Sequence, residues 1–391
     1  MASAAQNSGK NAEPRKISRE AVLLLCVLSL LILFSFTAFA SRMYHKKVHT
    51  LADDWFASGD ERFQAGDFKS ALANYQNALV YSPNNPKFQF HLAQAFSAGG
   101  HDDQARPYLL ALLSESPGSG EVNLQLARNA ANNNSLTDAL RYYQGAIYGE
   151  WPGDPLATRW EIRRELCEYL ISKGAIKQAT PEVIDLEENT SSDDSAHLKV
   201  VGQLLLRTEQ WTRAQQVYRS LLTADRFDEE ALAGAARSAF ELGEFAVALD
   251  DFNRLSPERR EQPDLAPAHE MARRVLTLSP YLAGLSTQVR AQRVANALSM
   301  AEVRAEICAR QVGESLVETP PRTDLQIAYA TSQTMQTTWD VRDLEKFPDR
   351  LESAMQTTFE IENAATNACG QPVGDNRALW LLGRSRNTVN H

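Results

Sequence analysis

Residues that could perform chemistry are few and widely spaced in this chain. Seven histidines are scattered along it, and only His45 and His49 share a helical face, at i and i+4. Two imidazoles at that spacing are a start towards a metal site, but no acidic third ligand is spaced to complete one. The acidic run over residues 187–194 lies in a Ser/Thr-rich segment typical of a solvated loop. We therefore expect no metal and no cofactor.

Motifs of the common enzyme classes are also missing from the sequence. It contains no Gly-rich phosphate loop, no GxSxG and no CxxC pair. We expect a protein that is not an enzyme. The alternative is an active site in the C-terminal third, and only the unassigned character of residues 264–391 supports it.

Cys308 and Cys369 are the two cysteines whose spacing could matter. Each falls near the end of a predicted helix. If the helices at 286–312, 323–346 and 349–369 run up, down and up, those two ends lie on the same side. A disulfide there would close a separation of 61 residues; loop-entropy models give it about 4 kcal/mol, and it needs an oxidising compartment. The alternative is two unrelated buried thiols.

The elements that must position these residues begin with an apolar run. Residues 21–40, AVLLLCVLSLLILFSFTAFA, carry no charge and span roughly 30 Å as a helix, the thickness of a hydrocarbon core. We expect a transmembrane helix there, after a cytoplasmic basic leader at 1–20 and before a juxtamembrane linker at 41–51. A signal peptide cleaved after Ala40, giving a secreted protein, is the rival, and a buried core helix is the remaining alternative.

Charge is divided unevenly along the chain. Residues 1–47 hold seven basic and two acidic residues, a net charge of +5. Because the whole chain has a net charge of −9, the remaining residues carry −14. An acidic body argues against nucleic acid as a partner, since phosphate binding needs clustered Lys and Arg. The basic leader gives a slight preference for a cytoplasmic N-terminus. We then expect a single-pass inner-membrane protein of bacterial type with residues 41–391 in the periplasm.

A period of 34 residues runs through the middle of the chain. Small residues let two helices cross closely, and large apolar residues fill the space between hairpins. Both kinds recur in phase, and after a six-residue displacement around residues 151–155 the period returns with Tyr218 and Phe252. Gly66 and Gly100 stand where a first helix would end in the left-handed conformation. In the first three repeats the small residues are Ala71, Ala105 and Ala139. The large residues are Tyr75, Leu109 and Tyr143.

This pattern resembles the tetratricopeptide repeat (TPR) family over residues 52–256, as about six repeats of which the fourth is degenerate. The resemblance implies an all-α fold, a TPR-like α-solenoid in which hairpins stack because none can bury its apolar face alone. The transmembrane helix would precede this array, and a C-terminal helical region at 257–391 would follow it.

The resemblance also implies a concave groove, lined by the first helix of each repeat, that binds a protein or peptide partner. Exposed aromatic residues at 56, 63 and 90 would suit the apolar anchors of a peptide; alternatively they pack against the linker or a capping helix. The groove residues that it implies are Phe56, Asp60, Phe63, Phe90, His91, Gln94, Leu124, Gln125, Arg128, Lys199, Gln203, Arg207, Arg237 and Glu241.

These expectations favour a membrane-anchored scaffold or adaptor for protein–protein interaction. The alternative is a periplasmic chaperone or assembly factor for secreted or envelope proteins, which would prefer unfolded clients. The sequence leaves the partner and the oligomeric state open. Recognition of chaperone tails by a Lys/Asn clamp is not expected, because the clamp positions of the family hold Phe56, Asp60, His91, Glu121 and Gln125.

Overall fold

The structure, a computed structural model, describes residues 19–153 and 155–389. It is all-α, as the sequence predicts. Within those ranges the β-pairing consists of an isolated bridge between Ser119 and Glu150. Most of the predicted basic leader, residues 1–18, lies outside the described residues.

The chain divides into two compact units between Ile162 and Arg163. The helix α7 (Pro155–Ser172) contains this division. The first unit also holds α1 (Arg19–Gln64), α2 (Phe68–Tyr81), α3 (Pro86–Ala98), α4 (Asp102–Glu115), α5 (Gly120–Asn132) and α6 (Leu136–Ile147). The second also holds α8 (Ile176–Glu188), α9 (Ser195–Arg207), α10 (Trp211–Ala224), α11 (Glu229–Glu241), α12 (Phe245–Arg254), α13 (Pro257–Arg260), α14 (Ala266–Leu278), α15 (Thr287–Val312), α16 (Asp324–Thr338), α17 (Val341–Lys346), α18 (Pro348–Cys369) and α19 (Gly374–Val389).

The helix α1 joins the apolar run to the first repeat without a break. Residues 41–51, predicted as a linker, are helical because no Gly or Pro interrupts the sequence from Arg19 to Ser58. The side chains of the apolar run are exposed, with Leu24 at 71% and Phe34 at 74%, so the alternative of a buried core helix is wrong. The exposed run is a candidate membrane anchor by length and composition.

The first helix of each repeat ends in a residue with left-handed backbone. Gly66, Gly100 and Gly243 take φ values of 75°, 77° and 80°, which glycine adopts without steric cost. The same position of the 34-residue frame holds Asn134 and Glu209, with φ of 57° and 60°. Asn tolerates this region, whereas a Glu there is strained by its Cβ. The left-handed turn at the end of the first helix is therefore present even in repeats that have no glycine at this position.

Close helix crossings let the hairpins stack. Ala71, Ala105 and Ala139 are fully buried, and Tyr75 fills the space between the first hairpin and the next. A Cβ placed on Gly59 would lie 2.5 Å from the ring of Tyr75. Only glycine lets the two helices approach this closely, since larger side chains would overpack the crossing.

Glu150 and Trp151, at the start of the insert predicted around residues 151–155, pack on the third repeat. The Trp151 indole Nε1 donates a hydrogen bond to the Ala146 carbonyl at 2.8 Å, and the Gly120 amide donates to the Glu150 carbonyl at 3.0 Å. A Cβ on Gly120 would lie 2.2 Å from the indole. The indole therefore occupies the place of a side chain at the start of α5.

The C-terminal helices follow the prediction except at one point. The helices α15 and α18 begin and end within one residue of the expected bounds. The single helix expected at 323–346 is instead α16 and α17, because Asp340 starts a new helix through a capping box with Asp343.

The last repeat shares its core with these C-terminal helices. Phe245 of α12 belongs to the same buried cluster as Val275 of α14, Val294 of α15, Met355 of α18 and Leu379 of α19. The apolar end of the last hairpin is thereby covered, which a repeat array needs to stay soluble.

Candidate partner-binding grooves

A cavity of about 630 Å³ in the first unit, here called the first groove, lies between α3 and the connection from α4 to α5. Three of the predicted groove residues, Phe90, His91 and Gln94, line it. Together with Lys87 they share one face of α3, since residues three and four apart lie side by side on a helix. Glu121 borders the cavity from α5. The first groove thus combines one aromatic side chain with charges of both signs.

Phe56 is not one of the exposed wall residues, and that expectation is wrong. Its side chain is 6% exposed. It stacks on Phe88 at 4.7 Å between ring centroids, meets the edge of His91 at 4.8 Å and lies under the Lys87 ammonium at 4.5 Å. The ring therefore joins the first repeat to the second as part of the core.

The remaining residues predicted in the first unit lie outside the lining of this cavity. Phe63 is half-buried and packs edge-to-face on Phe68 at 5.5 Å. Leu124 and Gln125 of α5 are half-buried, and Arg128 is exposed. Among the three aromatics, Phe90 alone lines the groove.

A short polar network lies beneath the first groove. The Tyr75 hydroxyl donates to Asp60 Oδ1 at 2.7 Å, and His91 Nδ1 lies 3.1 Å from the same oxygen. Burial lowers the pKa of His91 despite the opposing pull of Asp60. Because the unperturbed pKa is already below neutrality, the imidazole is neutral at pH 7 and Nδ1 donates to the carboxylate. The network fixes the ring that forms part of the groove wall.

A second cavity, of about 250 Å³ and here called the second groove, lies in the second unit between α9, α11 and the end of α13. It brings together Gln203, Arg207 and Arg237, three of the predicted residues. Arg207 and Arg237 are exposed and make no hydrogen bond or ion pair with other described residues. The sequence did not point to Tyr218 and Arg259, which also line this groove.

The other two predicted residues of the second unit lie outside the cavity lining. The Lys199 ammonium pairs with Asp228 at 2.6 Å, and this hydrogen bond raises the pKa of Lys199. Desolvation raises the pKa of Glu241, against the pull of Arg237. Lys199 holds the carboxylates beside the groove, and Glu241 belongs to the next turn of α11.

The C-terminal helices contain the cysteine pair for which the sequence left a disulfide open, and beside it an ion pair that the sequence did not reveal. Cys308 and Cys369 form a disulfide with a Cα–Cα distance of 5.8 Å. One turn away, Arg304 pairs with Glu362 and donates to the Gly370 carbonyl at 3.1 Å. Glu362 is 0% exposed, and burial raises its pKa to about 7 despite Arg304. These groups tie α15 to α18.

No cofactor chemistry emerges from the side chains in the described ranges. Among them, no group of three or more His, Cys, Asp or Glu residues is placed to hold a metal ion. His45 and His49 are both exposed on α1. The buried carboxylate of Glu302 is held by the amides of Gln333 and Gln336. Its partners are helix-packing contacts.

Hairpins repeated at a 34-residue period, with a small residue at each crossing, define the class of helical-repeat proteins. The sequence matches the family description "TPR repeat" at residues 59–100 and the description "Tetratricopeptide repeat" at residues 92–155 and 202–264. The chain belongs to the tetratricopeptide repeat family, whose fold serves as a scaffold for binding other proteins.

No curated protein sequence matches the chain. Among solved structures it is similar to the type IV pilus biogenesis factor PilW, with 16% identity, a TM-score of 0.39 and coverage of 56% of this chain and 97% of that one. It is also similar to Pseudomonas aeruginosa PilF, with 14% identity, a TM-score of 0.39 and coverage of 56% of this chain and 97% of that one. A third similar structure is that of a TPR repeat-containing protein from Cytophaga hutchinsonii, with 12% identity, a TM-score of 0.43 and coverage of 80% of this chain and 99% of that one. At these identities and scores, the likeness carries no information about what this chain binds.

Proposed function

We propose that this protein is a membrane-anchored scaffold that binds a protein or peptide partner in its repeat grooves. The observation that carries the proposal is the first groove, where Phe90, His91 and Gln94 line one cavity on the face of α3. An aromatic anchor flanked by Lys87 and Glu121 suits a peptide with one apolar side chain and polar neighbours.

The anchor in this proposal is residues 21–40, with the repeats outside the cytoplasm. An exposed, uncharged run of this length is stable in lipid and costly in water. The basic leader favours a cytoplasmic N-terminus. The Cys308–Cys369 disulfide supports an oxidising compartment for the body of the chain.

The test is crosslinking in native membranes of the source cells, with a photoreactive residue in place of Gln94 in the full chain. We expect one or a few defined crosslinked proteins, and we expect Phe90→Ala to reduce their yield at least tenfold. Val80, an exposed apolar residue outside the groove, provides the control, and Val80→Ala should leave the yield unchanged.

Three results would contradict this proposal. A crosslinking pattern that Val80→Ala and Phe90→Ala change equally would show that the first groove is not the binding surface. A preference for unfolded over folded clients would favour the chaperone alternative. Protease accessibility of residues 41–391 from the cytoplasmic side would contradict the topology.

A further inference from the structure

The hydroxyl of Tyr218 opens onto the second groove and has no acceptor among the residues that the structure describes. Tyr218 is 1% exposed, its ring lies against Gly202 and Gly234, and it lines the second groove. The hydroxyl makes no hydrogen bond with any other residue that the structure describes. A hydroxyl that faces a cavity is not an unsatisfied buried group, because water or a bound ligand can accept its hydrogen bond there.

The first repeat shows how the same position is normally satisfied. There Tyr75 donates to Asp60 at 2.7 Å and is covered by His91, 5.8 Å between ring centroids. The offset that relates Tyr75 to Tyr218 replaces Asp60 by Gln203 and His91 by Gly234. The second groove therefore lacks both the carboxylate and the imidazole of the first repeat.

Gln203 does not take over the role of the missing carboxylate. Its amide donates to Glu230 Oε1 at 2.5 Å, which holds the side chain towards α11. Lys199 also lies 3.7 Å from Glu230. The intramolecular acceptor of the first repeat is thus replaced by a side chain with another partner.

The charges around the second groove are unbalanced. Both acidic residues that line the groove already have partners. Glu230 contacts Lys199 and Gln203, and Asp264 forms an ion pair with Arg259 at 3.0 Å. Arg207 and Arg237 have no ion-pair partner among the described residues. Two guanidinium groups without a direct ion pair therefore line a cavity whose wall also offers the Tyr218 hydroxyl as a donor, although Arg237 interacts at longer range with Glu241 and Asp264. All three groups favour an anion that accepts hydrogen bonds.

We propose that the second groove binds an acidic segment of the partner polypeptide, with a carboxylate accepting from Tyr218 and pairing with Arg207 and Arg237. This inference rests on the proposed function and names the chemistry of the ligand at one groove. A volume of about 250 Å³ suits one or two side chains. A peptide carries its carboxylates singly, whereas a long polyanion would also meet the −14 charge of the remaining body.

The experiment measures fluorescence anisotropy of a fluorescein-labelled peptide of alternating Glu and Ser, titrated with the full chain in detergent. We expect binding that weakens with salt and is at least tenfold weaker for a peptide with Gln in place of Glu. Tyr218→Phe, which keeps the ring and removes the donor, should weaken binding about tenfold. Arg237→Gln should do the same.

Tyr75→Phe is the matched control, because it deletes a hydroxyl that already has Asp60 as its acceptor. It should leave the affinity for the acidic peptide unchanged. Arg207→Gln changes an exposed side chain, and its expected tenfold loss keeps the test decisive if Tyr218→Phe fails to fold.

Equal affinity of wild type, Arg207→Gln and Arg237→Gln for the acidic peptide would overturn the inference. So would equal binding of the Glu and Gln peptides, or stronger competition by oligoadenylate RNA or anionic lipid vesicles than by unlabelled peptide. Crosslinking at the first groove that still depends on Phe90 would leave the proposed function standing in each case. Loss of both readouts would reject the scaffold itself.

Discussion

At the scale of single residues, the decisive features are polar groups whose partners come from distant parts of the chain. The periodicity predicts that Tyr75 and Tyr218 are core residues, and both are. It does not predict that one hydroxyl is bonded and the other is not, since that depends on Asp60 and on what Gln203 contacts instead. The spacing of residues predicts which face of a helix a side chain lies on. The hydrogen bond of its hydroxyl depends on tertiary contacts, which spacing does not show.

Glu362 gives a prediction at this scale. Burial raises its pKa from 4.5 to about 7, so between these values the folded state binds more protons than the unfolded state. Its contribution to the free energy of unfolding is therefore complete below pH 4.5 and lost as the pH rises through 7. Glu362→Gln mimics the protonated form. Relative to wild type, it should gain up to about 3 kcal/mol between pH 4.5 and 8.

Hydrogen exchange along α18, measured at several pH values in detergent, tests this expectation. Glu360 is an exposed carboxylate on the same helix, and Glu360→Gln should show no such gain. A difference between wild type and Glu362→Gln that stays constant across the range would mean that Arg304 keeps Glu362 ionised throughout.

At the scale of elements, the 34-residue frame predicted most helices of the repeats, because their apolar faces and glycine turns recur in phase. It placed Phe56 on an exposed wall, however. Periodicity could not show that Phe88 and Lys87 of the next hairpin cover that ring. The single helix expected over residues 323–346 is divided into α16 and α17, because Asp340 and Asp343 form a capping box there.

The turn between α9 and α10 gives the prediction at this scale. Glu209 occupies the left-handed position that glycine takes in four other repeats. Glu209→Gly should raise the free energy of unfolding by about 0.5–1 kcal/mol, because glycine relieves the strain but also gains unfolded-state entropy. Denaturant melts monitored by circular dichroism would measure it.

The reciprocal change serves as the control for that prediction. At Gly100 an added Cβ would meet nothing within 4 Å, so Gly100→Ala tests the backbone alone and should cost about 1 kcal/mol. If Glu209→Gly destabilises the protein instead, the Glu side chain contributes an interaction that outweighs the strain.

At the scale of the whole molecule, the sequence separated anchor, array and C-terminal region, and the structure groups residues differently. The second compact unit combines the later repeats with the C-terminal helices, because Phe245 and Met355 share one core. A break in repeat phase near residue 256 marks a change of pattern, and it does not mark a change of core. Only long-range packing distinguishes the two.

The continuity of α1 gives the prediction at this scale. Spin labels at Met43→Cys and Ala57→Cys, in a Cys26→Ala background, should report a narrow distance distribution centred near about 21 Å. Lys46→Pro should broaden it, since proline breaks or kinks a helix interior. Pulsed electron spin resonance of the chain in bilayer nanodiscs measures both.

Lys46→Ala removes the same charge without breaking the helix, and it should keep the narrow distribution. A broad distribution in the parent chain would mean that residues 41–51 bend in the membrane-bound protein, as the sequence-based linker assignment proposes.

A continuous helix that joins the candidate membrane anchor to the first hairpin transmits rotation as well as tilt. Turning residues 21–40 about their own axis turns the crossing of Gly59 and Tyr75 through the same angle, because both lie on or against α1. The face of this helix that a neighbouring membrane helix contacts therefore sets the orientation of the first hairpin. With residues 21–40 in lipid, as we propose, their side chains set the orientation of the first hairpin.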